Sequence, residues 1–376
     1  MNTPRLAAFV LISATVLPLS AADAPATPSP AASTVPAAPT GAEVRALGLP
    51  ATIAPDAVVT KLAGDFGFTE GATTAPNGDV YFVDQNNNKI LKWDVTASKL
   101  STFLEPAGRA NGQYFDSKGN LISCADERNE LWSIAPDGKH TVLISALGYQ
   151  GKPLDGPNDV WVRPDGGIYV TDPMYARTWW DPAVTRPSQA VRSVYYLDPG
   201  RKTLTRVADF TMPNGIVGTP DGKNLYVSDI NARQILAFDI QPDGGLTNKR
   251  LICNFGSDGM TLDNRGNLYL SANLGGGRGG RGARGGAPVP APTDGVAPAP
   301  APAPAPVAAA PAAPAGPTTG VTVVDTKTGQ AIGFIPVPEQ PANLAFGGKD
   351  RSTLYITART GFYSIPTKVK GANPAK

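Results

Sequence analysis

From about Val58 to Ile365 the chain alternates apolar and polar residues in short runs: DVYFVD, KILKWDV, NLISCAD, GIYVTD, NLYVSD, QILAFDI, NLYLSAN and TLYITAR. Pairs such as Asn77-Gly78, Lys118-Gly119, Asp165-Gly166 and Asp221-Gly222 stand between them. A period of two bounded by glycine turns predicts β-hairpins, and helix-period segments are nearly absent.

The pattern repeats six times. In each unit a small polar residue, usually before glycine, stands seven positions ahead of a turn that opens a β-rich run. The lead residues are Glu70, Asn111, Asn158, Asn214, Asp258 and Asn343, at intervals of 41, 47, 56, 44 and 85 residues. The last interval is an ordinary period enlarged by an Ala/Pro/Gly tract. Each unit holds about four short strands, which predicts an all-β fold: a six-bladed β-propeller with four-stranded blades around a central channel. The segment Val58–Leu62 precedes the first lead residue and is expected to supply a closing strand for the last blade, removing an open edge.

In such a fold the first strand of each blade lines the axis, so the six lead residues form a ring at one mouth. All six offer side-chain oxygens and two are carboxylates. That chemistry suits one hard divalent cation, Ca²⁺ first, with Mg²⁺, Mn²⁺ or an oxygen-bound Zn²⁺ as alternatives. The competing reading is turn chemistry, since Asn-Gly and Asp-Gly are common hairpin pairs. Periodicity does not choose which four residues would hold the ion. A second recurring set, Asp84, Asp126, Asp172 and Asp229, ends the second strands and reads as turn or inter-blade hydrogen bonding. Asp172-Pro173-Met174-Tyr175, followed by Trp179-Trp180, is read either as a rim wall that stacks on a sugar-like ring or as the packing of a long surface loop.

Composition narrows the chemistry. The 376 residues hold 33 basic and 31 acidic side chains. Outside residues 1–49 and the tract 275–319 the balance is 28 against 28, which gives no basic footprint for nucleic acid. His140 is the only histidine, so multi-histidine metal sites are excluded. A Ser-His-Asp triad would have to use a residue at a hairpin tip, Asp137-Gly138-Lys139-His140. Cys124 and Cys253 are too few for a disulfide framework; one bridge is the alternative, but they fall on non-adjacent units and read as two buried thiols.

Residues 1–24 carry Arg5, the apolar run LAAFVLISATVLPLS and small residues near Ala22, which read as a secretory signal. The run is short and broken by Pro18, so no stable membrane anchor is expected after cleavage. Residues 25–49 read as an Ala/Pro-rich linker, 50–368 as the propeller and 369–376 as a tail. The tract 275–319, with Arg278, Arg281 and Arg284 in GGGRGGRGARGG, reads as a disordered insertion between blades five and six. Such an insertion is tolerated because loop-closure entropy grows slowly with length. A secreted or periplasmic monomer is the expectation.

The specific segments are Glu70-Gly71, LDGPNDVWV around Asn158, TMPNGIVGTPDGKNLYVSD around Asn214, SDGMTLDNRGNLYLSA around Asp258 and PANLAFGGKDRSTLYITA around Asn343. In this order and spacing the chain resembles the SMP-30/gluconolactonase/LRE-like group of six-bladed propellers, from about Asp65 to Ile365 without the insertion. The resemblance implies a metal-dependent hydrolase that opens a sugar-acid lactone or related ester. It places the metal ligands on Glu70, Asn158, Asn214 and Asp258, with Asp258 also the catalytic base. It puts Asn111 and Arg109 near the substrate, and Asn343 and Tyr175 are added as candidates from the ring and rim. Paraoxonase-type and phosphotriesterase-type activities, which use a histidine near the metal, are not expected. The alternative from another class is a non-catalytic exported propeller that binds a sugar or peptide beside a structural Ca²⁺.

Overall fold

The computed structural model describes residues 39–184, 186–271 and 318–372. The signal segment, most of the linker, nearly all of the 275–319 tract and the last four residues lie outside them. The first described element is a short helix, α1 (Gly41–Ala46), closed by a capping box between Thr40 and Glu43. Then come β1 (Thr60–Ala63) and six sets of strands. Blade one is β2 (Thr69–Thr74), β3 (Val80–Asp84), β4 (Lys89–Asp94) and β5 (Lys99–Leu104). Blade two is β6 (Ala110–Phe115), β7 (Leu121–Ala125), β8 (Glu130–Ile134) and β9 (His140–Ile144). Blade three is β10 (Val160–Val162), β11 (Ile168–Asp172), β12 (Ser193–Leu197) and β13 (Leu204–Asp209). Blade four is β14 (Pro213–Gly218), β15 (Asn224–Asp229), β16 (Gln234–Ile240) and β17 (Leu246–Cys253). Blade five is β18 (Met260–Leu262), β19 (Asn267–Leu270), β20 (Gly320–Asp325) and β21 (Ala331–Pro336). Blade six is β22 (Pro341–Gly347), β23 (Thr353–Ala358), β24 (Gly361–Pro366) and, on its outer edge, β1.

Every sheet is antiparallel and ordered by sequence, except that β1 completes the last blade, as the closing-strand pattern predicts. Each inner strand packs on its counterparts in both neighbouring blades: β2 on β22 and β6, β10 on β6 and β14, β18 on β14 and β22. Six blades therefore close a ring around one axis, a six-bladed β-propeller. Burial falls off radially. β14 and β22 are buried at every position, whereas the outer strands β5, β9 and β13 alternate or lie open. The core is divided into seams between blades. Phe82 of blade one stacks on Phe362 of blade six with ring centroids 4.3 Å apart, and Leu131 packs with Val170 between blades two and three. Burying side chains of this size contributes roughly 1.5–3 kcal/mol each.

Three expected boundaries move. Helix α1 packs on β21 and Val44 is fully buried, so the fold begins inside the expected linker. At the other end Val369 is buried and Gly371 bridges Asp263, so the fold runs into the expected tail. Residues 272–317 join β19 to β20 and therefore interrupt blade five itself, not the passage from blade five to blade six. Cys124 and Cys253 are buried and free. His140 begins the outer strand β9 and stacks on Trp132 at 3.7 Å, far from a catalytic role. Among the described residues no helix is long and apolar enough to cross a membrane.

Candidate functional site at the axial mouth

Glu70, Asn111, Asn214 and Asn343 stand at the N-terminal end of an inner strand, and Asn158 and Asp258 two residues ahead of β10 and β18. The glycine that follows most of them serves close packing, not a hairpin. The Gly112 N–H donates to the Asn158 carbonyl at 2.7 Å, and a Cβ on Gly112 would lie 2.3 Å from Asp159 Oδ1. A Cβ on Gly215 would lie 2.4 Å from the Asp258 carbonyl. Inner strands meet so closely here that any side chain would force them apart. The turn reading of these pairs is therefore replaced by a packing one. Four lead residues also sit in bulges. Between the pairs Glu70–Val83 and Thr73–Tyr81 the inner strand advances one residue more than its neighbour, and the same slip occurs at Asn111, Asn214 and Asn343. A bulge re-aims a side chain out of the ladder's alternation.

The ring is buried and polar. Glu70, Asn111, Asn158, Asn214 and Asn343 are each at most 6% exposed, and Asp258 is partly buried. Asn214 Nδ2 donates to Asp258 Oδ1 at 2.8 Å and to the Tyr175 hydroxyl at 2.9 Å. Both of its amide hydrogens are engaged, which leaves Oδ1 with free lone pairs. Among the described residues nothing hydrogen-bonds the side chains of Asn111 or Asn158. These amides have no protein partner and reach the open channel, where water or a ligand can meet them. Asn343 differs: its Oδ1 accepts from the Leu344 N–H at 2.8 Å, and its side chain stands close enough to Glu70 to favour that group's charged form slightly. Glu70 also accepts from the Gly71 N–H at 3.0 Å.

The electrostatics follow from burial. Desolvation and the neighbouring Asp258 charge push the Glu70 carboxyl well above its usual range. Asp258 is raised by burial and partly restored by Asn214 and by the charges of Arg177 and Arg359. Asp159, next to Asn158, is pushed up to about 7 by burial although it accepts from the N–H groups of Val160 and Ile216. Two carboxylates that repel each other in a dry ring, with amide oxygens beside them, form a donor set for a hard cation. Among the described residues no group of three His, Cys, Asp or Glu side chains could hold a metal, so amide oxygens would have to complete the shell.

The turns between second and third strands open on the same mouth, because Thr69 pairs with Asp84 and Pro213 with Asp229. In blade three that turn is replaced by a long loop, Pro173 to Arg192. The loop places Tyr175 on Asn214. It is latched by a buried ion pair, Arg177 Nε to Asp126 Oδ2 at 2.7 Å, and by Arg186 to Asp155 at 3.4 Å. Trp180 is buried, donates to the Asp126 carbonyl at 2.6 Å and lies under Arg186, which settles it as loop packing. Trp179 is covered by Arg109 and Arg177, at 5.1 and 5.4 Å from its ring. Neither indole is an open stacking wall. Arg109 sits at this rim, donating to the carbonyls of Gln85 and Asn86.

Asp84, Asp172 and Asp229 serve structure. Asp84 accepts from the N–H groups of Gly67 and Phe68, Asp229 from those of Thr211 and Met212, and Asp172 from that of Asp155, each tying the segment that leads into its own inner strand. Asp126 departs from this set by holding the blade-three loop. Sequence reasoning missed Asp159, Arg177 and Arg359. Asp159 is legible only as the neighbour of Asn158, and the two arginines lie in turns with no periodic signal.

The sequence signature described as the SMP-30/gluconolactonase/LRE-like region matches residues 68–286. A gluconolactonase of Zymomonas mobilis is 28% identical over 239 residues, covering 56% of this chain and 66% of that protein. A solved gluconolactonase from Xanthomonas campestris superposes with a TM-score of 0.66 at 26% identity, covering 84% of this chain and 92% of that one. A calcium-binding regucalcin from Agrobacterium tumefaciens shares the fold, with a TM-score of 0.59 at 18% identity over 84% of this chain and 94% of its own. With the six blades and the axial ring in place, these likenesses establish that the chain belongs to the SMP-30/gluconolactonase/LRE-like family.

Proposed function

We propose that the axial ring is the active site of a metal-dependent lactonase that opens a sugar-acid lactone or related ester. Gluconolactonase is the activity named for the relatives in Zymomonas mobilis and Xanthomonas campestris. The observation that carries the reading is the set of unpartnered oxygens: Asn158, Asn214 Oδ1 and two carboxylates converge at one mouth with no protein donor to satisfy them all. Glu70, Asn158, Asn214 and Asp258 would hold one divalent cation, Ca²⁺ first, with Mg²⁺, Mn²⁺ and Zn²⁺ as alternatives. When bound, the cation supplies Lewis-acid polarisation of the lactone carbonyl and charge stabilisation for its addition intermediate.

The chain's own residues do the rest. Asp258 takes a proton from the attacking water, a task that needs it ionised and that requires no histidine. Asn214 holds Asp258 Oδ1 from one side and is itself held by Tyr175, so the base cannot swing away from the axis. Asn343, beside Glu70 in the ring, is a further candidate contact for substrate. Asn111, with its amide unpartnered, and Arg109 are the groups available to substrate hydroxyls. The protein acts as an exported monomer, secreted or periplasmic, on the strength of residues 1–24.

The test is proton release from a panel of five- and six-membered lactones, after chelation and after adding back each cation, with Asp258→Ala alongside. Metal-restored turnover that Asp258→Ala abolishes is the expected result. No turnover on any lactone, with Ca²⁺ still raising the melting temperature, would reassign the ring to a structural ion in a ligand-binding propeller.

A further inference from the structure

Glycine follows four of the six lead residues, as Gly71, Gly112, Gly215 and Gly259, while Leu344 follows Asn343 and Asp159 follows Asn158. Asp159 is therefore the one polar side chain at a place where the inner strands leave almost no room. It is 6% exposed, and the lactonase reading gives it no task.

This carboxylate stands where three blades meet. Its Oδ1 accepts from the Val160 N–H at 2.9 Å in its own blade, and its Oδ2 from the Ile216 N–H at 3.2 Å in blade four. Ile216 ends the bulge that carries Asn214, so this bond ties the segment of one ring amide to that of the next. On the blade-two side Gly112, next to Asn111, donates its N–H to the Asn158 carbonyl at 2.7 Å and packs directly against Asp159 Oδ1. The main chain of Asp159 is fixed as well. Its N–H donates to the Thr171 hydroxyl at 3.0 Å, and the Thr171 N–H donates to the Asp159 carbonyl at 3.0 Å.

Blade six repeats these surroundings on the opposite side of the ring. The Asn343 N–H donates to the Thr357 hydroxyl at 3.0 Å, its Oδ1 accepts from the Leu344 N–H at 2.8 Å, and a Cβ on Gly259 would lie 2.4 Å from that oxygen. An amide suits that place, where the neighbour is the Glu70 carboxylate. Asp159 instead meets a main-chain N–H of the next blade, which needs an acceptor. Asp84, Asp172 and Asp229 also accept main-chain N–H groups, but each from a segment leading into its own blade. Of these four carboxylates only Asp159 bonds across a blade boundary.

We propose that Asp159 is a positioning residue: it sets the distance between Asn158 and Asn214 across the boundary of blades three and four, and through it the ring's affinity for a cation. The inference rests on the reading of the ring as the cation site of a lactonase and adds a residue to it. Donors held at a fixed spacing bind more tightly than donors free to drift, because less binding free energy is lost in ordering them.

The experiment is calorimetric titration of the chelated protein with Ca²⁺, Mg²⁺, Mn²⁺ and Zn²⁺ in turn, the tightest being carried to the variants at a temperature where each is folded. Glu70→Gln identifies the site by losing the binding. Asp159→Asn keeps the size of the side chain but puts a donor where one of two acceptors stood. Its affinity should be about ten- to hundredfold weaker. Thr171→Val, which removes the hydroxyl behind the Asp159 N–H, should weaken binding by about threefold. Asp229→Ala is the control, expected to lose stability and keep wild-type affinity. Excess cation should restore kcat in Asp159→Asn, since the ligands and the base remain.

Unchanged affinity in Asp159→Asn, an equal loss in Asp229→Ala, or a kcat that excess cation does not restore overturns the proposal. If Asp159→Asn does not fold, Thr171→Val decides alone, and unchanged affinity there overturns it. If no lactone is hydrolysed but cation binding depends on Asp159, the lactonase reading falls and the positioning role stands. If wild type binds none of the four cations, both fall.

Discussion

Two sets of oxygen-bearing residues recur with the blade period, and the structure gives them opposite roles. Asp84, Asp172 and Asp229 end second strands and accept main-chain N–H groups from the segments leading into their own blades. The inner set, Glu70, Asn158, Asn214 and Asp258, belongs to the adjoining inner strands, where Thr69 pairs with Asp84 and Pro213 with Asp229, but faces a shared axis. There it meets like charges and free amides instead of donors. A carboxylate surrounded by N–H groups stabilises a fold, whereas carboxylates facing one another in a buried ring favour a cation. Residue type and period are similar; what faces the oxygens decides the role.

Exchanging the charge in each set should separate them most sharply. Asp258→Asn is expected to lower kcat/KM by about a thousandfold, the scale of losing a general base beside a metal. In the chelated protein the same change should hold or raise the melting temperature, because it removes the repulsion with Glu70. A drop in melting temperature without loss of activity would place Asp258 with the outer set. Asp229→Ala should do the reverse. It leaves the N–H groups of Thr211, Met212 and Ala232 without their acceptor, costing about 1–3 kcal/mol in denaturant unfolding while kcat/KM changes little.

A milder probe tests whether the inner set is held from outside. Tyr175→Phe removes an acceptor from Asn214 Nδ2 and should lower kcat/KM by roughly three- to tenfold, the worth of one hydrogen bond. Unchanged kinetics would show that Asp258 alone orients that amide. The smallest effect concerns pH. Burial pushes Asp172 from 3.8 to about 8. The fold therefore keeps a proton that the unfolded chain has lost. The stability this contributes is complete below about 4 and is lost as pH rises through about 8. Thermal melts should show Asp172→Asn, which keeps an acceptor for the Asp155 N–H, gaining on wild type by a few degrees at pH 9 and little at pH 5. A gain independent of pH would mean that the carboxyl is ionised throughout.

The blade count, the closing strand and the six lead positions were legible because strand alternation and glycine spacing are local properties that repeat. The role of the glycines was not. Gly112 and Gly215 look like turn residues in a one-dimensional reading, and only the approach of the next inner strand shows what they avoid. Asn343 shares the period of the ring, and only the folded chain shows that its amide oxygen accepts from the Leu344 N–H. Trp179 and Trp180 read equally as a rim wall or as loop packing, and only the arginines that cover them decide for packing.

By itself the sequence determined that this chain is a nearly charge-neutral polypeptide whose strands must close into a ring of six. Periodicity and composition are additive along the chain and need no knowledge of partners. Tertiary structure alone decided that Asp126 latches a loop through a buried ion pair with Arg177 while Asp84 ties a turn, and that Asn214 presents an oxygen to the axis. Those distinctions depend on which groups from distant blades meet in a space poor in water. There the strength of every charge and hydrogen bond is set by its neighbours and not by its own residue type.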